Sequence, residues 1–213
     1  MDKQINARSH RALTVLELLV AVAVVATVLA VFLPVFARTH ARSARAGCPN
    51  NLKQIGLAFL TWEGDYGDRY PMSVPMSEGG SMGSIDAFLS FKVMSNEINN
   101  PRIVICPADQ RPAVADFGVL SNASVSYFVG LDADEFFPNR VLSGDRNLMT
   151  NGVAVGTGLV VIASNQPVTW SKQMHNLAGN IGLADGSVQQ VNSKTLKSLL
   201  ANTALRTNRL ALP

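Results

Sequence analysis

The sequence predicts an α+β protein, with one long N-terminal helix packed against a small, mostly antiparallel sheet. Three observations predict it. Residues 13–33 (LTVLELLVAVAVVATVLAVFL) are 21 almost uniformly apolar positions carrying a single charge, Glu17. Behind them Cys48, Leu52, Ile55, Phe59 and Trp62 recur at spacings of 4, 3, 4 and 3, one face of a second helical stretch. The remaining residues hold short alternating or β-branched runs separated by Gly, Pro and Asp-Gly turn signals.

A helix of 21 apolar residues can cross a hydrocarbon core of about 30 Å. A carboxylate in its first turn is costly there, so Glu17 asks for a reason. A basic stub, MDKQINARSHRA, precedes the segment and Pro34 follows it. A plain single-pass anchor would explain the length but not Glu17. A cleaved secretory signal would need a small-residue site after the apolar core, and Val35-Phe36-Ala37 is a poor one.

The run R11-A12-L13-T14-V15-L16-E17-L18-L19 resembles the start of type IV pilins and type II secretion pseudopilins. In that family a short basic leader is removed just before an apolar helix. The resemblance sets the cut between Ala12 and Leu13. Glu17 matches the family's glutamate, and Pro34 the proline that commonly interrupts the helix. Ala12 stands where glycine is usual, and Leu13 where phenylalanine is usual. The resemblance implies a pilin-like fold and a division into leader (1–12), membrane or filament-core helix (13–36), helical stalk (37–63) and extracytoplasmic α+β domain (64–213). It implies processing by a prepilin peptidase, N-methylation and partners among other pilin or pseudopilin subunits through the N-terminal helix, with Glu17 serving assembly. It also implies an inner-membrane assembly platform, and an inner-membrane location with cytoplasmic N-terminus and periplasmic domain. A structural subunit of a pilus or secretion pseudopilus is the expected function. A membrane-tethered binding module exported by the same route is the alternative.

Charge adds little to orientation, since Lys3, Arg8 and Arg11 before the segment balance Arg38, Arg42 and Arg45 after it. Without residues 1–12 the chain has 15 basic and 14 acidic side chains, so the formal net charge falls from +3 to +1. No nucleic-acid partner is expected, because no stripe of basic and aromatic residues exists; the three arginines suit lipid headgroups. The two cysteines, Cys48 and Cys106, are either bridged or buried free thiols. A bridge would close a loop worth roughly 4 kcal/mol.

Past Pro34 the helix is expected to resume and reach Trp62, about 75 Å from Leu13 at 1.5 Å per residue. Pro34 and Pro49 should bend or interrupt it, each lacking an amide donor. Asn50 and Lys53 occupy the polar face, with Glu63 at its end, and Gly64, Gly67 and Pro71 terminate it. Residues 71–84 read as a loop, and Ser84 as the cap of a short helix bearing Ile85, Phe88, Leu89, Lys92 and Val93. Strands are expected at 102–106 (RIVIC), closed by Pro107, and at 124–130, with Val125, Tyr127 and Val129 on one face. Another is expected at 153–163, folded into a hairpin at Gly156 and Gly158. A further hairpin joins 180–184 to 187–191 through Asp185-Gly186. Asn192-Ser193 caps a last helix carrying Leu196, Leu199, Leu200 and Leu205.

Several stretches are similar to a pseudopilin-like group with a processing-associated H-X9-DG domain. They are C48-P49-N50-N51-L52-K53-Q54-I55-G56, C106-P107-A108-D109, S126-Y127-F128, G144-D145-R146-N147-L148, and His175 nine residues before Asp185-Gly186. In the residues themselves, His175 is the single histidine of the domain and lacks a nucleophile motif or second histidine, so no enzyme is expected. Asp185 should shape the hairpin turn and lie within bonding reach of His175, Gly186 should supply positive φ, and Trp170 should pack in the core. No cofactor is expected. The acidic group Asp132, Asp134 and Glu135 is the one candidate for calcium, which takes several oxygens from a loop; a solvated acidic loop is the plainer reading.

Overall fold

A computed structural model of the chain describes residues 14–213, without the side chains of 33–45. The chain forms two compact units, Met1–Arg42 and Ser43–Pro213. Helix α1 (Val15–Asp65) contributes to both, and its helical assignment runs through Pro34 and Pro49 without interruption.

In the first unit, Val15–Phe32 is 18 residues of mean hydropathy 2.8, none of them buried. At 1.5 Å per residue it extends about 27 Å. Among the described residues, this one segment is long and apolar enough to cross a membrane.

In the second unit the rest of α1 follows its apolar stripe. Cys48, Leu52, Ile55, Phe59 and Trp62 are all buried, while Asn50, Lys53, Gln54 and Thr61 face solvent. Glu63 departs from the expected polar face: it is 5% exposed. The helix stops at Asp65, and Gly67 and Asp68 then take left-handed φ of 67° and 57°.

Six antiparallel strands form the main sheet: β1 (Tyr127–Gly130), β2 (Val141–Asp145), β5 (Gly158–Ala163), β7 (Ala178–Leu183), β8 (Val188–Asn192) and β9 (Thr207–Leu212), in spatial order β5-β9-β1-β2-β7-β8. A smaller sheet has the order β4-β3-β6, from β3 (Leu148–Thr150), β4 (Val153–Ala154) and β6 (Val168–Trp170). The two-residue period of a strand divides the core in two. Tyr127 and Val129 join the stripe of α1 together with Phe91, Met94 and Leu142. Phe128, between them, joins Trp170, Ile181, Leu196 and Leu210 on the other side, the last helix and small sheet contributing there.

Several elements differ from expectation. RIVIC is not a strand: Pro101–Val104 is a 3-10 turn whose first amides are capped by Asn100 Oδ1, 3.0 Å from Arg102 N. Pro101 fixes the φ of its first position. The run 153–163 is no hairpin, because β4 pairs with β3 while β5 pairs with β9 in the other sheet. The short helices are α2 (Ala87–Val93) and α3 (Ser95–Ile98), and Ser84 serves the turn ahead of α2, accepting from Asp86 N at 3.1 Å. Helix α4 (Ser193–Ala201) is capped by Asn192 as expected, but ends before Leu205. The chain then returns as β9, which sits between β5 and β1 with Leu210, Ala211 and Leu212 buried.

Candidate functional site

The stretches singled out in the sequence converge in the second unit on one buried polar cluster. Cys48 of α1 and Cys106 are joined by a disulfide, with Cα atoms 4.9 Å apart, which closes the alternative of free thiols. The neighbouring backbone is tied in the same sense. Tyr127 Oη donates to Cys48 O at 3.3 Å, and Asn51 Nδ2 to Ile105 O at 2.9 Å.

His175 lies against this bridge, its Nε2 3.3 Å from Cys106 Sγ. The carboxylate that meets His175 is Asp145, with Oδ2 3.3 Å from Nε2, and not Asp185. Asp145 is wholly buried, and its Oδ2 also accepts from Asn180 N at 2.7 Å and Asn180 Nδ2 at 2.8 Å. Burial pushes the Asp145 carboxyl well above its ordinary range, and the two bonds from Asn180 hold it back in part.

Asp185 closes its own turn. Its Oδ1 accepts from Ser187 N at 2.9 Å, and Gly186 has φ of 76°. This turn packs on α1: a Cβ added at Gly186 would lie 2.8 Å from Leu60 Cδ1, and one at Gly56 3.5 Å from the Gly186 backbone. Glycine is therefore needed at 186 for its positive φ, and a side chain there would also displace the end of Leu60.

Three successive residues of β2 and the turn after it each hold a different piece. Asp145 faces His175. Arg146 makes a two-pronged ion pair with Asp109, Nε to Oδ2 at 2.7 Å and Nη2 to Oδ1 at 2.8 Å. Asn147 Nδ2 reaches the carbonyls of Gln173 (3.0 Å) and Ala178 (3.2 Å), pinning the loop that carries His175. Burial raises the Asp109 carboxyl, but the bonds from Arg146 and from Ser126 Oγ (2.9 Å) outweigh it and leave it below the ordinary range. The strings CPAD, SYF and GDRNL carried these partners, but spacing alone could not pair them.

The remaining predicted residues lie elsewhere. Asp132 is engaged by Arg209, whose Nε and backbone N lie 2.8 Å and 2.7 Å from its two oxygens. Asp134 faces Arg140 at 3.7 Å, and its Oδ1 accepts from Phe136 N, while Glu135 is exposed. Two of the three calcium candidates thus point at arginines. Among the described residues, the one convergence of three potential metal ligands is Cys48, Cys106 and His175. Trp170 is core, as expected. Ala12 and Leu13 lie outside the described residues. Glu17 sits in the first turn of α1, where its Oε2 accepts from Thr14 N (2.9 Å) and Thr14 Oγ1 (3.0 Å) and Thr14 Oγ1 accepts from Glu17 N. This is a capping box, legible as T-V-L-E.

No family model, curated protein or solved structure matches the chain.

Proposed function

We propose that the protein is a structural subunit of a pilus-like or secretion-pseudopilus assembly, inserted in the inner membrane by Val15–Phe32 with its domain in the periplasm. The carrying observation is that this apolar stretch is wholly exposed on every face of the helix. An apolar helix without an apolar partner in its own chain needs lipid or other helices around it. The resemblance of residues 11–19 to a prepilin start supports processing by a prepilin peptidase and assembly on a platform in the same membrane. The buried cluster around His175 is read as a staple holding the sheet on α1.

Glu17 then has two roles, one local and one between subunits. The capping box needs an oxygen at this position, which glutamine also supplies. Pairing with the amine of a neighbouring chain needs the negative charge. Glu17→Gln is therefore expected to leave the chain folded and membrane-bound while reducing its recovery in sheared, sedimented filaments. Mass analysis of the extracted wild type is expected to give a chain starting at Leu13. Filament recovery equal to wild type, with an uncut N-terminus, would favour the tethered binding module instead.

A further inference from the structure

Cys48, Cys106 and His175 come from three separate parts of the chain, yet their Sγ, Sγ and Nε2 atoms lie within 4.8 Å of one another, all buried. A disulfide needs no imidazole beside it. Three other observations suggest that this imidazole is held there for a ligand. Asp145 Oδ2 is 3.3 Å from the same nitrogen, and Asp145 Oδ1 is fully buried without a hydrogen-bond partner. The loop presenting His175 holds Met174, Asn176 and Leu177 at φ of 60°, 52° and 65°. Each such residue costs on the order of 1 kcal/mol, and strain of this kind gathers at sites where one side chain must be fixed. Finally, the spacing suits coordination. A tetrahedral ion bonded at about 2.3 Å to sulfur and about 2.0 Å to nitrogen sets those atoms roughly 3.5 Å apart. Cys106 Sγ and His175 Nε2 are 3.3 Å apart.

We propose that, once the Cys48–Cys106 bridge is reduced, the two thiolates and His175 Nε2 bind a zinc-class divalent cation, with Asp145 the nearest oxygen donor for the fourth position. Disulfide and metal are then alternative ways of closing the same joint between α1 and the sheet. A dithiol reductant donates two electrons and two protons to the bridge and is itself oxidised to a disulfide. The cation then displaces one proton from each thiol, and the two thiolates balance its charge before any oxygen from Asp145 is added. Soft thiolate ligands with one imidazole select such an ion over calcium or magnesium. Ala108, Asp109, Gln110, Arg146, Gln173 and Met174 line a cleft of about 170 Å³. Five of these residues lie within four positions of Cys106 or His175 in the chain, and Arg146 follows Asp145.

The test uses the full chain in detergent micelles, reduced with a phosphine and titrated with Co²⁺ as a spectroscopic substitute. One Co²⁺ per chain is expected, with a thiolate-to-metal charge-transfer band and the intense d–d bands of a tetrahedral site. Zn²⁺ should abolish both. The oxidised chain should show neither, and His175→Ala should weaken Co²⁺ binding at least about tenfold. If reduction itself loosens the domain, Zn²⁺ is expected to restore its near-UV circular dichroism, since metal binding adds directly to folding stability. A reduced chain whose thiolate band does not exceed that of a Cys48→Ser/Cys106→Ser variant would overturn the proposal. So would equal Co²⁺ affinity in His175→Ala and wild type, or a loosened chain that Zn²⁺ leaves loosened.

Discussion

The two stretches of α1, Val15–Phe32 and Cys48–Trp62, are both rich in apolar residues, yet they meet opposite fates. The first is apolar all round and entirely exposed. The second is apolar on one stripe, and that stripe is buried to the last residue while Leu57, off the stripe, stays 64% exposed. Apolar content therefore says how much surface must leave water, and periodicity says where it goes. A stripe can be satisfied by one sheet of the same chain. A cylinder of apolar side chains cannot, and under the function proposed above its burial comes from lipid or from other copies.

The strongest way to break this contrast is to remove an anchor from the stripe. Phe59 is fully buried and meets Tyr70 and Phe91 edge to face, with ring centroids 5.8 Å and 6.2 Å away. Phe59→Ala is expected to cost about 3–5 kcal/mol, a fall of about 10 °C in the melting temperature of the domain. Thermal unfolding of the full chain in micelles measures it, and membrane association should not change. A loss of membrane association with unchanged melting would reverse the roles of the two stretches.

The converse substitution, Val25→Lys, places a charge in the middle of the exposed cylinder. Insertion is expected to weaken by about 3 kcal/mol. Alkaline extraction should then release much of the protein from membranes, while the domain melts as in wild type. Resistance to extraction equal to wild type would show that the segment is not held by lipid.

The smallest expected effect lies at the end of the stripe. Burial pushes the Glu63 carboxyl from 4.5 up to about 7, and the charges of Glu135 and Asp68 raise it further. Tyr70 has one proton, and it is donated to Ala184 O at 2.6 Å, so Glu63 Oε2 is left buried without a partner. A folded-state value above the unfolded one means the native state binds the proton more tightly. The share of stability owed to Glu63 is thus greatest at low pH and is lost as pH rises from about 4.5 to 7, by at most roughly 3 kcal/mol. Glu63→Gln should remove this share of the fall, leave the share that the buried Asp145 carboxyl adds over the same interval, and make the variant the more stable form above pH 7. A wild-type melting temperature that climbs across the same interval would refute the assignment.

What could be read in advance followed from local rules. The stripe of α1, the alternation of Val125, Tyr127 and Val129, the Asp185-Gly186 turn and the Asn192 cap each depend on neighbours within a turn or hairpin. Apart from the RIVIC turn, which Asn100 and Pro101 set locally, the departures were long-range. The last helix was expected to reach Leu205 because that residue continued a leucine series, and residues 207–212 become a strand only by pairing with β1 and β5. Gly156 and Gly158 read as a hairpin, but the chain uses them to pass from one sheet to another. The partner of His175 is thirty residues upstream at Asp145, not ten downstream at Asp185, since a turn aspartate satisfies its own amides first.

The sequence by itself therefore determined that this protein has an apolar segment long enough to cross a membrane and a domain held on an amphipathic helix. Composition and periodicity are properties of contiguous residues, and they need no knowledge of what lies opposite. Only the tertiary structure decided that Cys48 and Cys106 are joined, that Glu63 is buried, and that Asp145, Arg146 and Asn147 hold three different parts of the chain. Pairings between residues far apart in sequence are fixed by how sheet and helix close on each other, and no local pattern records that closure.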